Sequence, residues 1–254
     1  MAGALAVLNF DLVGYKRTWR GSAMSSFVLP VLFVLGFGIS VGSLVNTTRL
    51  GESYLSFLVP GMIASTALQV AFGESTWPVQ TKFAWMRTYH AQFAAPLAIS
   101  DLVFGDMIFL VLRVVTTSAV FLLVTSLFGA VHSWWALAVL PACGLLGVAI
   151  AAPVFAFAAT VEGSTNYFAF LQRFIVIPMS LFAGVYYPVS SLPIGVQPLA
   201  WISPLWHGVE ICRAATHADH GSALALLGHI AYLLLWAVVG LWLALRQFRR
   251  RLSD

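Results

Sequence analysis

Apolar residues run through this chain in blocks, broken by short polar stretches. A hydrocarbon core of about 30 Å takes roughly 20 apolar residues wound as a helix. The blocks predict six such spans, at residues 24–45, 54–79, 102–128, 134–160, 167–186 and 223–245. Within lipid every backbone N–H and C=O must be paired inside the segment, so the spans are expected to be helical. The fold class that follows is an all-α integral membrane protein.

Three segments between the blocks carry a different pattern. Residues 1–20 place Leu5, Leu8, Leu12, Tyr15 and Trp19 at spacings of three and four, with Asp11, Lys16, Arg17 and Arg20 on other faces. That pattern predicts an amphipathic helix lying at the membrane interface, ahead of one membrane domain over 21–254. Residues 81–100 are polar and mixed, a loop with room for a short helix. Residues 187–221 are rich in Pro, Ser and Trp and hold only a half-length apolar stretch, too short to cross.

Composition sharpens this picture. The chain is 60% hydrophobic and 9% charged, whereas an average soluble domain carries about 25% charged residues. So few charges cannot cover a water-facing globule. The net charge of +4 is no nucleic-acid signal, because the cations sit at the ends of apolar blocks. Lys16, Arg17, Arg20, Lys82, Arg87, Arg246, Arg249, Arg250 and Arg251 fall on one side of a six-span chain. Arg49 and Arg213 fall on the other. This bias places both termini in the cytoplasm. Cys143 and Cys212 form neither a disulfide framework nor a zinc pattern. No cleavable signal peptide is evident, and no internal repeat.

Several motifs are excluded by context. A phosphate-binding loop needs a Gly-rich turn before its lysine. Lys16 follows Tyr15 and Lys82 follows Thr81, so the chain has no nucleotide site of this kind. Residues 38–42 read Gly-Ile-Ser-Val-Gly, but inside an expected membrane helix this is a small-residue packing pattern, not a nucleophile elbow. Asn46-Thr47-Thr48 fits a glycosylation sequon on an outward loop. No H-E-x-x-H pattern occurs.

Ionisable residues at membrane depth are the main candidates for function. Arg113 lies well inside the third block and Glu74 near the inner end of the second. Asp106 precedes Arg113 by seven residues, which puts both on one helix face. They form either a charge pair that transmits movement or lines a path, or a structural ion pair that fixes helix register. His207, Glu210 and Arg213 recur every three residues and would make one polar stripe if that segment is helical. The stripe gives no evident metal-ligand set, and no role is assigned to His132, His217, His220 or His229.

Three residue blocks resemble the ABC-2 type permeases, and more narrowly the subgroup of nodulation-factor exporters and daunorubicin/doxorubicin-resistance permeases. The first is Tyr54-Leu55-Ser56-Phe57-Leu58-Val59-Pro60-Gly61. The second runs from Arg87-Thr88-Tyr89-His90 through Pro96, Asp101, Gly105 and Arg113. The third runs from Leu181 through Gly184, Tyr186, Tyr187 and Pro188 to Leu192-Pro193, then Pro204-Leu205-Trp206-His207 with Glu210 and Arg213. The third has the most specific spacing.

The resemblance implies a transport subunit of the bacterial cell membrane. It implies two cytoplasmic ATPase partners, and a second permease copy or paralogue. ATP and Mg would be held by the ATPases, with no cofactor in this chain. It implies a coupling segment at Lys82, Arg87, Thr88, Tyr89 and His90. An intramembrane charge network would comprise Glu74, Asp101, Asp106 and Arg113. Outward re-entrant helices would gate the exit through Tyr186, Tyr187, Pro188, Trp206, His207, Glu210 and Arg213. The exported substrate would be amphipathic: a lipid, glycolipid, lipo-oligosaccharide or hydrophobic drug. One departure is the loop after Thr160, where the charge is Glu162 alone. The competing readings are an ion-gradient carrier or channel without an ATPase, and an intramembrane enzyme whose best candidate group is His207.

Overall fold

Among the described residues, hydropathy and length single out four helices long and apolar enough to cross a membrane: Tyr54–Trp85, Ile99–Leu127, Trp134–Thr160 and Ala223–Ser253. The computed structural model of the protein describes residues 2–33, 36, 54–129, 134–163, 166–216 and 222–253. No strand occurs among the described residues. Half of the first expected span, the 38–42 motif, the 46–48 sequon, Arg49, His132, His217 and His220 lie outside them.

The chain opens with α1, Ala2–Phe33, a single helix with no break near residue 20. The second expected span is α2, Tyr54–Ser75. It kinks at Thr76, whose ψ of −94° leaves the helical region, and resumes as α3, Trp77–Gln80. A π-helical turn, Thr81–Trp85, follows. Side chains after such a turn are re-aimed relative to an ideal α-helix, and these turns are frequent at functional sites. The short helix expected in the 81–100 loop is α4, Thr88–Ala94.

Helix α5, Ile99–Leu127, and α6, Val139–Thr160, preceded by a 3-10 turn at Trp134–Ala138, match the third and fourth expected spans. The fifth apolar block is α7, Asn166–Leu171, a π turn at Gln172–Val176, and α8, Ile177–Phe182. This helix stops short of the expected end at residue 186. Gly184 has a φ of +76°, a conformation open to glycine at no steric cost, and it turns the chain. Two helices then occupy the Pro-rich segment: α9, Gln197–Ile202, and α10, Pro204–Thr216. The last is α11, Ala223–Ser253.

Helix α6 is the centre of the bundle, packed against α2, α5, α10 and α11, while α1 lies along α5. Close approach needs small residues at the crossings. A Cβ on Gly240 of α11 would stand 2.6 Å from Pro153 Cδ of α6, and one on Gly105 of α5 would stand 2.6 Å from Val7 Cβ of α1. Helix α10 is sunk into the bundle, with Leu205, Val209 and Cys212 fully buried. Cys212 Sγ lies 3.9 Å from Cys143 Sγ of α6, both as free thiols. The outer faces remain apolar. Leu235, Val238 and Trp242 of α11 and Phe174 of the π turn are each more than half exposed. A lipid environment accommodates such a surface and water does not.

The interface face expected for residues 1–20 is divided: Leu5, Leu12 and Trp19 are exposed, while Leu8 and Tyr15 are half-buried. Ala4 and Val7 are buried on α5, while Leu5 and Trp19 are exposed, at 58% and 48%. Asp11, expected on a polar face, points into the protein.

Candidate functional site

Among the described residues, two polar clusters of the predicted site residues interrupt the apolar bundle. The first joins five elements. Lys82, carried inward on the π turn, sits between Asp11 of α1 at 2.6 Å and Asp106 of α5 at 2.9 Å. Asp106 also accepts a hydrogen bond from the hydroxyl of Tyr89 on α4. Beside this, Arg113 of α5 donates to Glu74 of α2 at 3.0 Å and to the hydroxyl of Tyr15 on α1 at 2.7 Å. Its guanidinium lies 4.5 Å from the Tyr15 ring centroid. Burying ions costs several kcal/mol each, offset in part by opposite charges close by; here Arg113 faces one carboxylate and Lys82 faces two.

The sequence left Asp106 and Glu74 open as partners of Arg113. The structure selects Glu74. Seven residues along a helix is about 10 Å of rise, so Asp106 and Arg113 share a face yet each finds a nearer partner on another element. Asp101 stands apart from this cluster. It accepts from the backbone N–H of Ala98 at 3.3 Å, at the start of α5, and abuts Gly3 of α1, where a Cβ would clash with its carboxylate.

The electrostatics of the first cluster are unbalanced, with Asp11 and Asp106 sharing one lysine. Burial first, and then the Asp106 charge, push the Asp11 carboxyl up from 3.8 to about 7, against the opposing pull of Lys82. Burial likewise pushes the Tyr89 phenol well above its usual value, so it stays protonated as a donor. A cavity of about 600 Å³ adjoins the cluster, lined by Asp11, Tyr15, Arg17, Glu74, Lys82 and Arg113 among others.

The segment read as 82–90 splits in two. Lys82 and Tyr89 face the protein, Tyr89 completely, while Thr88 is half-buried and Arg87 and His90 are exposed beside Trp85 and Met86. Arg87 has a φ of +50°, uncommon for a residue with a Cβ. It ends the π turn and starts α4 in a new direction.

The second cluster lies where α10 meets α11 and the 183–188 turn. Arg213 donates to Glu210 at 3.0 Å and to the carbonyl of Gly184, and its guanidinium lies 4.1 Å from the Phe57 ring centroid. Tyr54 donates to the carbonyl of Tyr186 at 3.3 Å. Tyr187 and Pro188 are half-buried in the same turn. His207 separates from the other two members of its stripe. Its Nε2 faces the carbonyl of Trp201 at 3.0 Å and its Nδ1 faces Nδ1 of His229 at 2.8 Å. Nε2 therefore carries the proton, and His229 donates. Tyr232 stacks on His207 with ring centroids 3.9 Å apart, and Trp206 meets both histidine rings edge-on.

Sequence reading passed over His229, Asp11 and Arg173, the last exposed at the π turn of the fifth apolar helix. The signal for His229 was its place one turn inside an apolar block. No group of three or more His, Cys, Asp or Glu able to hold a metal ion occurs among the described residues.

Residues 4–216 match the family described as ABC-2 type transporter. The chain belongs to the ABC-2 type transporter family. It is similar to Nodulation protein J of Rhizobium leguminosarum bv. viciae, 28% identical over 248 residues covering 98% of this chain and 94% of that one. Nodulation protein J of Rhizobium meliloti (strain 1021) is 28% identical over 249 residues, covering 98% and 93%. The inner membrane transport permease YadH of Escherichia coli (strain K12) is 22% identical over 228 residues, covering 84% and 78%. Members of the ABC-2 family form the membrane component of ABC transporters and work with separate ATPase subunits, so this chain is such a membrane subunit. Both clusters fall within the matched residues except for His229 and Tyr232 of α11, which lie beyond them.

Proposed function

We propose that this ABC-2 subunit is the permease of an exporter that moves an amphipathic molecule outward, driven by two ATPases on the cytoplasmic side. The observation that carries this reading is the first polar cluster. It ties the exposed α3–α4 turn to α1, α2 and α5 at once, so a push on α4 reaches three long helices. In this reading six spans cross a bacterial plasma membrane, both termini are cytoplasmic, and a second permease copy or paralogue completes the path. ATP and Mg stay on the ATPases.

Arg87, Thr88 and His90 would touch the ATPase. Tyr89 and Lys82 would anchor that contact to α5 and α1. ATP closure of the ATPases shifts the equilibrium only if contacts differ between the two states, and the Lys82 pairs are contacts that movement of α4 would alter. At the other end α9 and α10 would act as re-entrant helices, with Tyr186, Tyr187, Pro188, Trp206, His207, Glu210 and Arg213 around the exit. An apolar hollow of about 620 Å³, lined by Leu68, Ile150, Phe174, Met179, Leu199 and Trp236 among others, suits the fatty part of such a substrate. A lipid, glycolipid, lipo-oligosaccharide or hydrophobic drug has the required shape.

The test is reconstitution with the partner ATPases in liposomes. Arg87→Asp should leave the chain in the membrane, because residue 87 is exposed, and should lower ATP-dependent transport about tenfold or more, consistent with loss of a coupling contact. Unchanged coupled transport in Arg87→Asp would remove this turn from the docking site. Transport by the purified chain alone on an ion gradient would favour a carrier or channel instead.

A further inference from the structure

The apolar block of α11 ends near Leu245, but the helix continues to Ser253. Topology signals alone need no fixed contacts. Arg246, Arg249 and Arg250 are exposed, Arg246 reaching only the Trp242 ring of its own helix at 5.5 Å, whereas Arg251 is half-buried and Phe248 and Leu252 are buried.

Arg251 Nη1 donates to the carbonyls of Ala158 and Ala159, both at 3.1 Å. These belong to the last turn of α6, where helix carbonyls lack the usual partner four residues on; that of Ala158 also accepts from the backbone N–H of Val161 at 3.4 Å. A cation there also suits the negative end of the helix dipole. The same nitrogen reaches Gln80 Oε1 at 3.5 Å, and the guanidinium lies 4.2 Å from the Phe83 ring centroid. Gln80 is itself tied to the exit of α6, where its Nε2 donates to the carbonyl of Val161 at 3.1 Å. One turn back, the Phe248 ring meets Phe83 at 4.9 Å, Tyr89 at 5.2 Å and Phe155 at 6.1 Å between centroids. Tyr89 is the residue whose hydroxyl binds Asp106.

We infer that the end of α11 is a working part of the coupling machinery. Phe248 and Arg251 are positioning residues that clamp the segment from Gln80 to Tyr89 onto the end of α6. Movement of α4 is thereby passed to α6 and α11, and through them to α10 at the opposite end. This inference rests on the exporter reading above. It assigns the last turns of α11 a role that neither charge bias nor membrane length requires. Arginine is specified because the site needs a planar cation that can donate to two carbonyls, approach Gln80 and cover a ring together. A lysine offers a point charge.

The experiment follows the conformation of the outer segment and needs no known substrate. Ile194 is 86% exposed, and the native Cys143 and Cys212 are fully buried. Ile194→Cys can therefore be labelled selectively by a water-soluble maleimide in the permease–ATPase complex. The labelling rate is compared without nucleotide and with ATP, Mg and vanadate. In the parent complex the rate should change by about fivefold or more. Arg251→Gln should abolish most of that change while the ATPases stay bound and ATP hydrolysis continues. Arg251→Lys should restore part of it, and Arg249→Gln should behave as the parent.

A full nucleotide response in Arg251→Gln overturns the inference and leaves the exporter reading intact. No response in the parent overturns the exporter reading, and the inference with it. If Arg251→Gln fails to assemble, Gln80→Ala removes the ties of this segment to Arg251 and to the Val161 carbonyl with the charge of α11 unchanged. A normal response in that variant overturns the inference equally.

Discussion

Asp11 shows how a single side chain can be governed by its surroundings. It faces Lys82 at 2.6 Å, yet burial and the nearby Asp106 hold its carboxyl up at about 7. The unfolded chain releases the same proton near 3.8. A group raised on folding stabilises the fold fully below its unfolded value and loses that contribution as pH climbs through the folded one. The seating of α1 on α5 should therefore tighten as pH falls from about 8 to about 6. The detergent-purified protein is expected to melt a few degrees higher at the lower pH. Asp11→Asn should shrink that difference, because its amide does not titrate. An unchanged pH dependence in the variant would show that another group is responsible.

Between elements, glycine decides how near two helices or turns can come. A Cβ on Gly61 of α2 would stand 2.8 Å from the carbonyl oxygen and 2.9 Å from the Cα of Val185. Both atoms are backbone, in the turn that also carries Gly184 and Tyr186, so neither can step aside alone. A Cβ on Gly208 of α10 would stand 2.7 Å from Leu146 Cδ2, the tip of a side chain with other rotamers. Overpacking of a tight site costs about 1–3 kcal/mol. Gly61→Ala should lower the melting temperature more than Gly208→Ala, and should also disturb the outer turn. The reverse order would mean that this turn yields more readily than the α10–α6 contact. The Pro60-Gly61 pair in the first resemblance block thus has a packing reason.

At the scale of the molecule, two polar clusters sit at separate places in an apolar bundle, linked by α2, α5, α6 and α11. Each cluster joins elements far apart in sequence: Asp11 to Lys82, Arg113 to Glu74, His207 to His229. The apolar faces of α11 and of the fifth apolar helix are left for lipid or for another subunit. The distribution of arginine sets the expected orientation, with the α11 tail in the cytoplasm. A phosphatase reporter, active only outside the cytoplasm, should be silent when fused after Asp254. Activity there would invert the whole proposal, since the coupling turn would then face away from any ATPase.

The sequence alone pointed to a membrane protein, located four helices long and apolar enough to cross, and set apart 81–100 as a loop with room for a short helix and 187–221 as a segment too short in apolar residues to span. These depend on local quantities: the length of an apolar run, the place of a cation, a Pro or a Gly. The residue blocks also pointed to the ABC-2 family.

Only the tertiary structure decided which side of each helix faces inward. In water an apolar stripe marks the core, but in hydrocarbon the outside of a helix is as apolar as the inside, so periodicity loses its meaning. On α1, Leu5, Leu12 and Trp19 are exposed while Tyr15 of the same expected face, and Asp11, turn inward to Arg113 and Lys82. The same ambiguity hid Arg251 among four arginines that look alike in sequence. One of them reaches the end of α6 and the other three do not, because rotation about the α11 axis is fixed by Gly240 against Pro153 and by Phe248 in its aromatic nest.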